Sequence, residues 1–384
     1  MTQAAEHLPL TTPSALDRLR WPALIVAIVG TIGCVVAFRA DRHLFFRAYL
    51  FAFTFWLSLP LGSLALLMLH QMTGGYWGVP LARIARSAAL TLPLMVFLFL
   101  PLFAGLGELY PWASGGPLAA NDLHRVGYNN VPFFTVRFAV YFAIWIGLAY
   151  AIFWSKPATA RKFSAIGIVL YGLTLTHAGT DWIMSRDTHF YSTMFPFILI
   201  TGQCLAAIAL LILMLMATNR LLGRGKLHPI LLRDVGNILL TLVILWTYMS
   251  FFQLLVIWMG NLRDDNGWYT ARGLGQPGPW RWVGATLLLV HFAIPFFLLL
   301  FRENKQHARV LAGIAATVLS IHLLEQYWLV APSGHGAEPV FDPSWVDLVP
   351  ALAIGGIWCG VFFHVLARTS LPMPDPIPEE MLHD

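Results

Sequence analysis

A few residues able to exchange protons or carry charge stand inside long apolar stretches of this sequence. His177 and Asp181 are four apart, and His322 and Glu325 are three apart. Either spacing places both side chains on one face of a helix. His291, Gln253, Arg47 and Arg137 are embedded in the same way, and Asp347 opens the last apolar stretch. A charged side chain at the centre of a membrane-spanning helix costs roughly 2.5–3.5 kcal/mol on insertion scales, so each of these needs a reason. Carboxylate–imidazole pairs in a low-dielectric site exchange protons near neutral pH, because burial disfavours the charged form of both partners. Brought together, these residues make an outward-facing proton exit or a pocket for a quinol head group. Quinol oxidation releases two protons and needs a buried base to take them. The same residues serve equally as interhelical hydrogen bonds and ion pairs that hold a bundle together.

The elements that position them follow from composition. The chain has 384 residues, 58% apolar and 11% charged, with 27 Phe, 15 Trp and a mean hydropathy of +0.68. A soluble domain has about 25% charged residues. This chain has too little polar surface to face water all round and is too apolar to be disordered. A helix needs about 20 apolar residues to cross the hydrocarbon core. Ten stretches qualify, at about 21–38, 44–71, 87–109, 131–154, 162–185, 192–218, 234–260, 281–301, 309–331 and 345–367. Strands are excluded, since alternation is missing and open sheet edges are not viable in lipid. The expected fold is an all-α integral membrane protein of about ten transmembrane helices. It comprises a short lead (1–20), a membrane domain (21–368) and a tail (369–384). The first span reads as an uncleaved anchor.

Lys and Arg set the orientation. With both termini cytoplasmic, about 15 of them fall on the inner side, among them Arg83, Arg86, Arg224, Lys226 and Arg302. About 7 fall on the outer side, among them Arg125, Arg186, Arg263 and Arg272. The net charge of +5 is therefore positive-inside bias and carries no nucleic-acid signal. On this topology most of the embedded ionisable groups lie in the outer half of the membrane. The outer loops Glu108–Asn130 and Asn261–Trp280 are long and aromatic, as interface anchors or as a docking surface.

Cofactor motifs are missing. Cys34, Cys204 and Cys359 stand apart in apolar runs and form no zinc or iron–sulfur set by spacing. A membrane haem b needs two facing histidines at matching depth. His177 with His322, or His70 with His364, are the available pairs, but both outer candidates have an acid one turn away, which favours hydrogen bonding. There is no phosphate loop, no Ser/His/Asp signature and no HExxH. Two further readings stay open: a stand-alone proton-coupled secondary transporter, with charges near the midplane, and a haem b membrane anchor.

Several blocks in register carry a resemblance. They are Asp181-Trp182-Ile183-Met184-Ser185 with His189-Phe190-Tyr191-Ser192-Thr193-Met194-Phe195; Asp234-Val235-Gly236-Asn237; Phe252-Gln253-Leu254 with Ile257-Trp258-Met259-Gly260-Asn261-Leu262; His291-Phe292-Ala293-Ile294-Pro295-Phe296; Tyr327-Trp328-Leu329-Val330-Ala331-Pro332; Trp345-Val346-Asp347-Leu348; Gly355-Gly356-Ile357-Trp358; and Pro374-Asp375-Pro376. From about residue 40 onward the chain resembles the NrfD-like membrane subunit called ActF of bacterial alternative complex III, a quinol:cytochrome c oxidoreductase. It departs from that pattern at Arg186, Thr188, Phe190 and Pro196, and at His322 and Glu325, where an Arg and an Asp are expected.

The resemblance implies two four-helix bundles (roughly 44–185 and 192–331) with flanking helices, in the bacterial cytoplasmic membrane. It implies a place in a respiratory electron-transport chain beside a sister NrfD-like subunit, the better-supported quinol site, and beneath periplasmic haem- and iron–sulfur-bearing subunits. Such a subunit holds no redox cofactor and no complete active site of its own. Quinone or quinol is its small-molecule ligand, and it takes part in proton movement.

Overall fold

Lipid offers no hydrogen-bond partners, so a backbone that crosses it must satisfy its own N–H and C=O groups. The apolar runs do this as helices. The computed structural model describes residues 17–115, 126–221, 223, 227–261, 263–275, 278–333 and 341–369. Among them ten helices are long and apolar enough to cross a membrane, and there is no strand. They are α1 (Arg20–Ala40), α2 (Arg42–Thr73), α3 (Tyr76–Ala104), α4 (Val131–Trp154), α5 (Pro157–Arg186), α6 (Phe195–Leu221), α7 (Pro229–Gly260), α8 (Trp280–Leu300), α9 (Ala308–Val330) and α10 (Trp345–Arg368). The protein is an all-α, multi-pass integral membrane protein. Nearly all of the lead and the tail lie outside the described residues, as do Arg125, Arg224, Lys226, Leu262, the Pro374–Pro376 block and the Arg263 side chain.

The third span starts earlier than Arg83 and Arg86 suggest. Both arginines sit within the helix Val79–Ala89, and a second helix, Leu92–Ala104, completes the crossing. The Thr91 hydroxyl donates to the Ala88 carbonyl (2.7 Å) at the junction. Arg83 is accommodated because its guanidinium donates to the Leu366 carbonyl near the end of α10 (2.8 Å).

Two four-helix bundles result. In the first, α2 packs on α3 and α5, and α4 packs on the same two helices. In the second, α6 packs on α7 and α9, and α8 again closes the ring. The bundles meet where α2 lies against α6 and α9 and where α5 lies against α6. Outside them, α1 pairs with α10, and α10 runs along α2. In its most apolar stretch α2 is 89% buried, against 17% for α1. The central axis is therefore α2, and α1 is a lipid-facing flank.

Small residues and indole N–H groups fix these contacts. A Cβ on Gly62 of α2 would lie 2.1 Å from the Gln203 carbonyl oxygen of α6, and one on Gly356 of α10 would lie 2.4 Å from the Ala27 nitrogen of α1. Such close backbone approach drives helix association where lipid removes the hydrophobic term. Trp56 Nε1 donates to the Ala351 carbonyl (2.8 Å) and Trp358 Nε1 to Thr91 Oγ1 (2.9 Å), tying α10 to the first bundle.

Gly62→Ala is expected to destabilise the protein by about 3 kcal/mol through overpacking against backbone. Gly147→Ala, whose added Cβ meets nothing within 4 Å, is expected to leave stability unchanged. Thermal unfolding in detergent separates the two.

Candidate functional site

Each bundle buries one acid on its fourth helix and sets a base from its third helix against it. In the first bundle, Asp181 of α5 is 1% exposed. Arg137 of α4 grips it with two hydrogen bonds, Nε to Oδ2 (2.8 Å) and Nη2 to Oδ1 (3.0 Å). Tyr141, one turn along α4, donates its hydroxyl to Oδ2 (2.8 Å). The third guanidinium nitrogen donates to the Tyr128 carbonyl (2.8 Å), and the cation sits 3.8 Å from the Tyr128 ring centroid and 4.5 Å from that of Phe133. This is a bidentate, charge-compensated pair with little unused hydrogen-bonding capacity.

His177 does not join it. Residues four apart on a helix are offset by about 40°, and the edge of the bundle passes between these two. Asp181 turns inward. His177 is exposed, with its Nδ1 3.2 Å from the Tyr128 hydroxyl. Burial pushes that hydroxyl up to about 12, so at neutral pH it keeps its proton. The expected His177–Asp181 carboxylate–imidazole pair is therefore replaced by Arg137–Asp181.

In the second bundle the acid is Glu325 of α9. Its Oε2 lies 2.7 Å from His322 Nδ1, and Trp246 Nε1 of α7 donates to Oε1 (2.6 Å). His322 Nε2 faces Ser58 Oγ of α2 (3.2 Å). His291 of α8 approaches from the other side, its Nδ1 3.7 Å from Glu325 Oε2. That is beyond hydrogen-bond reach. His291 and His322 are wholly buried. A π-helical stretch, Leu287–Ala293, carries His291.

Arg47 and Asp347 form a third site. The guanidinium of α2 meets Asp347 Oδ1 at 3.2 Å. The other carboxylate oxygen accepts the Ser344 backbone N–H (2.9 Å), which completes a capping box at the start of α10. Gln253 of α7 accepts from Ser192 Oγ (3.0 Å) and donates to the Tyr269 hydroxyl (3.1 Å), so it joins the α5–α6 and α7–α8 connections. The single outer cluster expected from the sequence is thus resolved into three separate sites and a loop tether.

Sequence reasoning missed Arg186 and Arg272, which it counted as outer-loop charges. Both are buried, and both serve the C-terminal end of α9. Arg186 donates to the carbonyls of Val330 and Ser333. Arg272 donates to those of Trp328 (3.0 Å) and Leu329 (2.8 Å) and lies 3.5 Å from the Trp268 ring centroid. Burial pushes the Arg272 guanidinium down to about 9, still charged at neutral pH. Cations at a helix C-terminus satisfy its orphan carbonyls and complement its dipole.

Between the bundles lies a cavity of about 20 Å³, bordered by Thr54, Gln203, Gln326 and Trp182. It has room for about one water molecule. The buried Trp182 indole N–H has no hydrogen-bond partner in the protein.

No protein-family model matches the chain, and no curated protein matches it.

Arg137→Ala is expected to cost 3–5 kcal/mol, on the order expected for stranding a buried carboxylate. Arg137→Met combined with Asp181→Leu is expected to cost less than Arg137→Ala. Unfolding midpoints of the single and double variants test this. His177→Ala is expected to stay within about 0.5 kcal/mol of the parent, by the same measurement.

Proposed function

We propose that the chain is an integral-membrane subunit of a bacterial respiratory quinol:electron-acceptor oxidoreductase, of the NrfD-like kind its sequence blocks resemble. It resides in the cytoplasmic membrane with both termini cytoplasmic. It binds no redox cofactor of its own, and it supports quinol oxidation and proton movement toward the outer face. Its partners are a sister NrfD-like subunit that binds quinol and periplasmic subunits that carry haem and iron–sulfur clusters.

The observation that carries this reading is the pair of buried polar groups, one inside the first bundle and one at the junction of the two bundles. Asp181 accepts from Arg137 and Tyr141 where α4 meets α5, and a small cavity bordered by Thr54, Gln203 and Gln326 lies where α2, α5, α6 and α9 meet. Protons released by quinol need polar groups of this kind to cross an otherwise apolar core.

A secondary transporter is the rival reading. Transporters built from repeats break their helices at corresponding positions in the two halves. Among the described residues the main interruptions are the junction in α3, the second helix of its bundle, and the π stretch in α8, the third of its own. These do not correspond.

Purification of the tagged protein from native membranes in mild detergent is expected to bring down haem- and cluster-bearing subunits with quinol-dependent reductase activity. A chain that purifies alone sinks the proposal. In the complex, Asp181→Asn is expected to slow quinol-dependent turnover several-fold more than it lowers yield. Poor assembly with normal turnover per complex would instead make Asp181 a purely structural residue.

A further inference from the structure

Two imidazoles and one carboxylate, from two helices, converge in the second bundle. One ligand atom from each of His291, His322 and Glu325 can be chosen so that all three lie within 4.8 Å of one another, and all three residues are buried. We propose that they form a binding site for one divalent transition-metal ion of the zinc type, which cross-links α8 to α9.

Four observations point to a ligand. First, neither ring nitrogen of His291 has a hydrogen-bond partner, although the residue is 0% exposed. A buried polar group left unsatisfied costs about 1–3 kcal/mol, and a bound ion is one of the few remedies. Second, the π-helical turn that carries His291 is itself a costly local conformation, of a kind that concentrates at functional sites.

Third, the surroundings orient the ligand atoms as they do around metals. The Ser58 hydroxyl gives its proton to the Phe55 carbonyl (2.6 Å), so its oxygen accepts from His322 Nε2 (3.2 Å). That leaves His322 Nδ1 pointing at Glu325 Oε2. Trp246 Nε1 donates to the other carboxylate oxygen. Hydrogen bonds from outside a coordination sphere fix ring orientation and carboxylate position in this manner.

Fourth, the spacing fits. Zinc–nitrogen and zinc–oxygen bonds near 2.0–2.2 Å set tetrahedral ligand–ligand distances of about 3.3 Å. The distances from Glu325 Oε2 to His322 Nδ1 and His291 Nδ1, 2.7 and 3.7 Å, lie on either side of that value. Changes of about 0.6 and 0.4 Å bring these two distances to that value. Gly202 of α6 leaves room for them, since a Cβ there would already lie 3.4 Å from Glu325 Oε2 and from His322 Cε1. With one carboxylate the ion keeps a unit of positive charge, which a hydroxide in the open fourth position cancels.

The site is separate from the Arg137–Asp181 pair, and its occupancy is read without any turnover assay. Elemental analysis of the full-length protein, purified in detergent from metal-replete cells, is expected to give about one equivalent of metal per chain. His291→Ala and Glu325→Gln are each expected to lose it. Because either variant can fail to fold, wild-type protein stripped by a chelator and titrated with Co²⁺ is the second readout. Visible absorption bands of a tetrahedral nitrogen/oxygen site should rise and saturate at one equivalent. Wild-type protein that carries no metal and develops no cobalt bands overturns the proposal, and so does metal retained by a folded His291→Ala variant.

Discussion

A charge inside lipid must bring its own solvation, and the arrangement of this protein is organised by that requirement. Buried ionisable side chains tie several of the helices together. Arg137 with Asp181 joins α4 to α5, and Arg47 with Asp347 joins α2 to α10. Glu325 gathers Trp246 of α7 and His322 of its own helix, and His322 reaches Ser58 of α2. Such pairs contribute little net stability against a well-packed apolar alternative. What they supply is register. A helix that slid or rotated by one residue would strand a charge, and in lipid that is costly.

The two bundles solve the same problem with different chemistry. Both hold an acid on the fourth helix, a base on the third and a neutral ring donor: the Tyr141 hydroxyl for Asp181 and the Trp246 indole for Glu325. In the first bundle the base is a guanidinium whose fork matches the carboxylate, so the site is closed. In the second the bases are imidazoles. An imidazole has two nitrogens pointing in opposite directions, so it cannot embrace a carboxylate as a guanidinium does. One nitrogen of His322 meets Glu325, and both nitrogens of His291 remain unpartnered. The difference between a locked pair and an open site therefore follows from the residue types and from the distance at which α8 holds His291.

This is also why the sequence was more legible for the fold than for the site. Span number and helical class depend on the length of apolar runs, which reads directly from the chain. The boundary of α3 was misplaced because Arg83 and Arg86 look like loop residues until α10 supplies a carbonyl. The embedded residues stood out one by one, since a lone charge in an apolar run is conspicuous. Their partners did not. Spacing along one helix suggested His177 for Asp181, whereas the true partner comes from α4, 44 residues away. Arg186 and Arg272 were hidden because a basic residue in an outer loop looks solvated, and nothing local in the sequence reports a helix end 144 or 56 residues further on.

Several buried polar side chains converge on one helix. His322 and Glu325 lie on α9, and Arg186 binds its C-terminal carbonyls. Phe190 stacks on Trp268 with ring centroids 4.6 Å apart, and Trp268 in turn lies beneath Arg272, the second clamp on the same helix end. An imidazole on α9 supplies no permanently fixed cation to the interior. It also offers Glu325 no bidentate fork. The helix then needs another constraint on its depth and rotation, since Glu325 and His322 must still meet Trp246 and Ser58. Two arginines on the terminal carbonyls provide it. They hold α9 by its backbone, the one part of the helix whose polarity is independent of side chains. On this argument the clamp and the histidine site belong together: the first makes the second geometrically possible.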